Sequence, residues 1–238
     1  MRRWIIGVVL ALVVVLALVA GGYYVMNARS FQLAGRLVDR VDTTEKIVAL
    51  TLDDGPTDLT PEVLRILAGA DVPATFYLNG RDLAAHPEHG AAIAAAGHDI
   101  GNHTYSHRRM VLVSRDTVAE EVERTDTEIR KTGYQGLITF RPPYGKKLWS
   151  LPRYLSDHDR LTVTWDVEGE VGEEPTTDQI VAETLSGVRP GSIILLHAMF
   201  PGRASSRAAI PRIVAELRAD GYRFVTVSEL LARGTGPV

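Results

Sequence analysis

The 238-residue chain contains no cysteine. That absence excludes a thiolate nucleophile, a cysteine-ligated metal and a lipid-modified cysteine, and it suits an oxidising compartment outside the cytoplasm. An excess of one charge is also lacking. Twenty-six Lys and Arg against 29 Asp and Glu leave a formal net charge of -3, so no basic field is available to hold nucleic acid. Beyond the N-terminus there is no internal repeat and no low-complexity stretch, and nothing points to a protein partner. What remains is about 200 residues, one domain's worth, enough to bury a core without a disulfide or a structural metal.

One long hydrophobic run is present. Arg2 and Arg3 precede an uncharged apolar stretch over residues 4–25. About 20 such residues in a helix cross the hydrocarbon core of a bilayer. The stretch is longer than the apolar part of a cleaved signal, and the residues around Val19-Ala20-Gly21 make no clean cleavage pattern. Trp4, Tyr23 and Tyr24 stand where interfacial aromatics anchor a spanning helix, and the two arginines favour a cytoplasmic N-terminus. Residues 1–26 therefore read as a signal-anchor, with a cleaved signal peptide as the alternative. Either way the globular part is exported, anchored to the membrane or secreted if the helix is removed. Residues 27–45 are polar and read as a juxtamembrane connector, helical over 29–41.

The rest alternates strand-like and helix-like segments. Strands are expected over 47–52, 74–78, 98–101, 137–140, 161–165, 192–196 and 224–227. Helices are expected over 60–67, 82–96, 114–131, 148–156, 177–187, 206–219 and 229–232. Such alternation predicts an α/β fold of βα units with parallel pairing. With about seven strands, an open doubly wound sheet competes with a distorted (β/α) barrel. Every chemically loaded motif lies at the C-terminal end of a predicted strand, which favours the barrel.

The first motif is Asp53-Asp54-Gly55-Pro56, two adjacent carboxylates closing a hydrophobic strand. Adjacent carboxylates repel, and a cation bound by one frees the other for base work. The second is His103 and His107, four residues apart, as if on one side of a helical turn. With Asp54 they complete a His-His-carboxylate set for which zinc is the default ion in a hydrolase, cobalt, nickel or manganese being alternatives. His86, His89 and His158 read as structural or exposed. The third motif is Arg141-Pro142-Pro143-Tyr144-Gly145. Its prolines stiffen the loop, so that the Tyr144 N–H is able to face a developing oxyanion, and Arg141 is able to pair with a carboxylate. In Trp165-Asp166-Val167-Glu168, Trp165 suits a pocket wall and either Asp166 or Glu168 is a partner for Arg141. Last comes Leu195-Leu196-His197, whose histidine is able to protonate a leaving amine.

Taken together in this order, Asp-Asp-Gly, His-x3-His, Arg-Pro-Pro-Tyr-Gly, Trp-Asp and Leu-x-His resemble the polysaccharide deacetylase family with its NodB-like homology domain. The resemblance covers about residues 46–232 and implies that 46–238 form the catalytic domain of a metal-dependent carbohydrate deacetylase, a hydrolase of linear amides. The implied substrate is an N-acetylated glycan, peptidoglycan or chitin-like. By the same resemblance Asp53 is the general base and Asp54, His103 and His107 are the metal ligands. Arg141 orients Asp53, the Tyr144 backbone contributes to the oxyanion hole, His197 is the general acid, and Leu195 lines the acetyl-methyl pocket. There are departures. Leu52 replaces the usual phenylalanine, Glu168 occupies the place of an aspartate, and Ala198 follows His197 where many relatives carry the aspartate that holds that histidine. Three rivals stand beside this reading: a non-catalytic glycan-binding member of the fold, a non-haem iron oxygenase, and a deacetylase of acetyl esters such as acetylxylan.

Overall fold

A computed structural model describes residues 2–234. The chain opens with α1 (Arg2–Asn27), which buries no residue and is long and apolar enough to cross a membrane. Next come β1 (Leu37–Val38), β2 (Ile47–Asp53), α2 (Thr60–Gly69), β3 (Thr75–Leu78), α3 (Gly80–Ala85), α4 (Pro87–Ala95) and β4 (Asp99–Asn102). The second half holds α5 (Arg115–Lys131), α6 (Ser150–Asp157), β5 (Thr162–Val163), β6 (Val167–Glu168), α7 (Thr177–Gly187) and β7 (Ile193–Leu196). It ends with α8 (Ala204–Ala219), β8 (Arg223–Val225) and α9 (Val227–Ala232).

Every ladder between these strands is parallel, as βα connections require. The main sheet runs β4-β3-β2-β7-β6, with β8 paired to the start of β2. Its edges are joined by isolated bridges and one short ladder. Phe140 bridges β4 and β5, β5 pairs with β1, and the Val41 N–H donates to Gly191 O (3.0 Å) just before β7. The circuit β2-β3-β4-Phe140-β5-β1-β7-β2 is therefore a distorted barrel in two sheets, with isolated bridges in place of continuous ladders on one side.

Strand alternation divides the core. In β2, Val48, Leu50 and Leu52 pack outward beneath the helices with Phe76, Leu78, Ile194 and Leu196. Ile47 and Ala49 face the barrel interior with Tyr77, Ile193 and Leu195. With a side-chain period of two, Thr51 and Asp53 continue the inner face of β2, and His197 extends that of β7. The strand pattern thus delivers the chemistry to the inside of the barrel. Helix starts follow the expected capping: the Thr117 N–H donates to Ser114 Oγ (3.1 Å), and Thr176 with Gln179 forms a capping box.

Four expectations are corrected. No helix forms over 29–41, which instead runs through bends into β1 and joins the barrel. The helix expected over 82–96 breaks into α3 and α4 at His86, because Pro87 pushes the preceding residue out of the helical region (φ -131°). The strand expected over 137–140 shrinks to Phe140, hydrogen-bonded on both sides, and that over 161–165 to the two residues of β5.

Gly191 carries the closing bond in a left-handed conformation (φ +81°), and a Cβ there would sit 1.8 Å from Val41 O. Gly191→Ala should cost about 3 kcal/mol or more, strain and lost barrel closure together, read as a lowered urea midpoint of the full chain in detergent.

Candidate active site

Arg141 is fully buried, directly after Phe140. Its guanidinium donates to Asp53 Oδ1 (2.7 Å), Thr51 Oγ1 (2.7 Å), Thr164 O (2.8 Å) and Val163 O (3.3 Å), and lies 4.0 Å over the Tyr77 ring. Arg141 thus pairs with Asp53, the residue that the resemblance has it orient, while neither Asp166 nor Glu168, the carboxylates expected to hold Arg141, is bonded to it. Asp166 is spent elsewhere, accepting from Ser192 Oγ (2.9 Å) and the Ile193 N–H (2.9 Å) at the start of β7. Glu168 pairs with Arg29 (2.8 Å) and accepts from Trp165 Nε1 (3.2 Å). Burial alone would raise the Asp53 carboxyl, but the charge of Arg141, with His103, His197 and the Arg141 hydrogen bond, holds it below the ordinary carboxylate value.

Beside it, Asp54 turns the other way. It sits at φ +74° at the end of β2, its N–H held by Tyr77 O (3.0 Å). Its Oδ1 lies 3.3 Å from His107 Nε2 and 3.9 Å from His103 Nε2. These three residues form a group whose ligand atoms lie within 4.8 Å of one another. The helical turn expected for the two histidines is absent. Positive φ at Thr104 (67°) and His107 (57°) instead folds the loop back, with the Thr104 N–H donating to Asn102 Oδ1 (2.9 Å). The loop is fixed at Ser106, whose N–H and hydroxyl both donate to Glu121. His103 Nδ1 is bonded to Arg141 O (2.8 Å), which turns Nε2 toward Asp54. Burial first, and the neighbouring His103 second, lower the His107 imidazole, favouring the neutral form that binds metals.

On the opposite wall, His197 Nδ1 is bonded to Glu170 Oε2 at 2.5 Å. Glu170 also accepts from the His197 N–H (3.0 Å) and from Ser206 Oγ. The histidine thus has a carboxylate hold after all, from a residue that the sequence reading missed. The β6–β7 register pairs Glu168 with Leu195, so two residues on Glu170 stands opposite His197. The carboxylate of Glu168-Gly169-Glu170 was visible, but the register that aims it was not. Burial would lower the His197 imidazole, but the Glu170 hydrogen bond and the charges of Asp53, Glu170 and Asp54 raise it above its ordinary 6.5. Burial would in turn raise Glu170, and His197 with Ser206 holds it below its ordinary value.

Asp53, Asp54, His103, His107 and His197 open into one pocket of about 550 Å³, walled also by Tyr144, Gly145, Trp165 and Leu195. Tyr144 adopts φ +58° behind the two prolines, half of its surface exposed, its ring 4.7 Å from that of His107. Asn27 and Arg29, from the end of α1 and the residues after it, complete the rim. They are stitched in place: Thr164 Oγ1 donates to Arg29 O (2.6 Å), Arg29 stacks 5.1 Å over Trp165, and Lys146 Nζ donates to Asn27 Oδ1. Lys147 is buried, donates from Nζ to Ala28 O (2.5 Å), and has its pKa pulled down to about 8 by burial.

Comparison with known proteins places the chain in a family. The family model for polysaccharide deacetylases matches residues 40–161. A peptidoglycan-N-acetylglucosamine deacetylase of Bacillus cereus is 33% identical over 185 residues, 77% of this chain and 67% of the relative. A chitooligosaccharide deacetylase of Sinorhizobium fredii is 34% identical over 201 residues, covering 79% and 93% of the two chains. Among solved structures, the Bc1960 peptidoglycan N-acetylglucosamine deacetylase superposes with a TM-score of 0.78 at 31% identity, over 84% of this chain and 95% of that one. A CE4 family pseudoenzyme from Bacillus anthracis gives 0.76 at 26% identity, over 85% and 71%. The chain belongs to the polysaccharide deacetylase family.

Proposed function

We propose that the protein is a metal-dependent N-deacetylase that hydrolyses the acetamide of N-acetylated amino sugars in a cell-surface polysaccharide, peptidoglycan or chitin-like, and releases acetate. One observation carries this reading. Two adjacent carboxylates are split between two tasks, Asp53 held by a buried guanidinium and Asp54 facing two histidines.

Two imidazoles and a carboxylate with edges of 3.3 and 3.9 Å fit a tetrahedral ion with bonds of about 2.0–2.2 Å, and such a set favours zinc over cobalt, nickel or manganese. Held by Asp54, His103 and His107, a divalent cation supplies Lewis-acid polarisation of the acetamide carbonyl and acidifies water. The chain's own groups do the rest. Asp53, deprotonated at neutral pH, takes the proton of the attacking water. The Tyr144 N–H donates to the carbonyl oxygen as charge gathers on it. His197, kept protonated by Glu170, gives its proton to the nitrogen as the C–N bond breaks. Acetate and a free amino sugar result. Trp165 and Leu195 wall the space for the sugar and the acetyl methyl. Exported by its N-terminal segment and anchored by α1, the domain meets glycan close to the membrane, because the rim of the pocket is built partly from the end of the anchor.

A pseudoenzyme of this fold exists, so catalysis is the point to test. Asp53→Asn should lower kcat by about 10³-fold or more while bound zinc, read by atomic emission, stays constant. Unchanged turnover would remove Asp53 as base. Acetate release from peptidoglycan, chitooligosaccharide and acetylxylan, measured side by side, should favour the two amides. An ester preference would move the protein to the acetylxylan reading, and no release from any would make it a non-catalytic member.

The pH profile carries a second test. Asp53 must be charged and its pKa is depressed, so the acid limb of kcat/KM should lie below the ordinary 3.8. His197 must be protonated and its pKa is raised, so the alkaline limb should lie above 6.5. Glu170→Gln removes the charge that raises it, and should move the alkaline limb to lower pH and reduce kcat by up to about 100-fold. An unmoved limb would leave Glu170 a purely structural residue.

A further inference from the structure

Outside the pocket, a second group of metal-ligating side chains converges. Asp58 lies in the loop between β2 and α2, four residues beyond Asp54, while His86 is the junction of α3 and α4 and His89 lies in the first turn of α4. Ligand atoms of these three residues lie within 4.8 Å of one another. Asp58 Oδ1 is 3.9 Å from His86 Nδ1 and 4.0 Å from His89 Nε2. Glu88, between the histidines, places Oε1 3.8 and 3.7 Å from the same two nitrogens. The imidazoles are stacked, 5.5 Å apart and inclined by 18°, so both edges meet the same carboxylates.

These separations exclude direct hydrogen bonding, which needs about 2.7–3.2 Å. A hydrogen-bonded or ion-paired cluster would close to that range. Four near-equal distances of 3.7–4.0 Å instead leave a gap between the nitrogens and the oxygens. A tetrahedral ion with bonds of about 2.0–2.2 Å has ligand edges of about 3.4 Å, so a small inward shift of exposed side chains would complete its shell. The set made by Asp54, His103 and His107 has comparable edges, 3.3 and 3.9 Å. The local fold also presets the histidines. Pro87 breaks the helix at His86, and the His89 N–H donates to His86 O (3.1 Å), which keeps the rings on one side of the junction. His89 is mostly covered, whereas the Asp58 side chain is 93% exposed and leaves the gap open to solvent.

We propose that Asp58, His86 and His89, with Glu88 as fourth donor, bind a second divalent cation of the zinc class. Two imidazoles select a borderline ion over calcium or magnesium, which take oxygen ligands. The ion ties the loop that leaves Asp53 and Asp54 to the α3–α4 junction. It therefore braces the carboxylate pair from outside and takes no part in proton transfer.

The test is metal stoichiometry of the full chain in detergent, loaded with Zn²⁺, gel-filtered and analysed by atomic emission. The wild type should retain two ions per chain. His86→Ala/His89→Ala and His103→Ala/His107→Ala should each retain one, and the combination none. Asp58→Asn and Glu88→Gln alter exposed side chains and leave folding intact; each should weaken the second ion by more than the about 100-fold that loss of an outer-shell partner costs at most. One ion per chain in the wild type overturns the proposal. So does a stoichiometry, or a second affinity in the Asp58→Asn and Glu88→Gln variants, that equals the wild type's.

Discussion

A guanidinium sealed from water must find acceptors within the protein, and Arg141 finds four on two strand segments that meet through the barrel interior. Taking a charge of this size out of solvent costs several kcal/mol, recovered only where its geometry and its counter-charge are good. Here the counter-charge is Asp53, and the neutral acceptors are Thr51 and the carbonyls of Val163 and Thr164. The arginine therefore needs β2 and the β5 strand end at fixed distances, which is what the closed circuit of strands provides. In return it commits one carboxylate of the Asp53-Asp54 pair to itself. Asp53 Oδ1 is taken up by Arg141, while Oδ2 remains free toward the pocket, 3.7 Å from His103 Nε2. Like-charge repulsion between the neighbours is relieved by separating their partners, one toward a guanidinium and one toward two histidines.

The two halves of the site mirror each other electrostatically. Arg141 draws the Asp53 carboxyl down, and Glu170 draws the His197 imidazole up. Divergent shifts of this kind favour an ionised Asp53 carboxylate and a protonated His197 imidazole at the same pH. Each group is held from behind by a buried partner of opposite charge. Asp53 reaches its partner across the barrel interior, whereas His197 reaches Glu170 through the β6–β7 register.

Much of this was legible in the sequence, and the rest was hidden for identifiable reasons. The apolar β-branched run over 47–52 and the motif at its end place Asp53 and Asp54 correctly, because a strand's parity follows from residue spacing alone. The order of strand-end motifs also made the barrel readable. Arg141 beside Asp53 was expected from the resemblance, but the tasks of Asp166 and Glu168 were not readable, since they depend on register across sequence gaps: both looked able to hold Arg141, yet each is bonded to another group. The His103–His107 loop misled for another reason. Four-residue spacing fits a helix, but two left-handed residues bring the rings together without one, and residue type signals positive φ only weakly at His107 and not at Thr104. His86 and His89 read as isolated because their carboxylate, Asp58, comes from another loop.

The polar residues after the hydrophobic helix contribute more than reach. A connector that served solely as a tether would be solvated and free of the domain. Residues 26–41 are instead bonded along their length: Met26 O and Ala28 O to Lys147, Arg29 O to Thr164, Val38 O to Thr164, and Val41 to Gly191. Lys147 makes the arrangement expensive to undo, because losing Ala28 O would leave a buried ammonium with no acceptor in its place. Arg29 is likewise fixed, by Glu168 on one side and the face of Trp165 on the other. The segment that emerges from α1 is thus a structural wall of the pocket. The position of the pocket relative to the end of α1 is thereby set by covalent and hydrogen-bonded geometry.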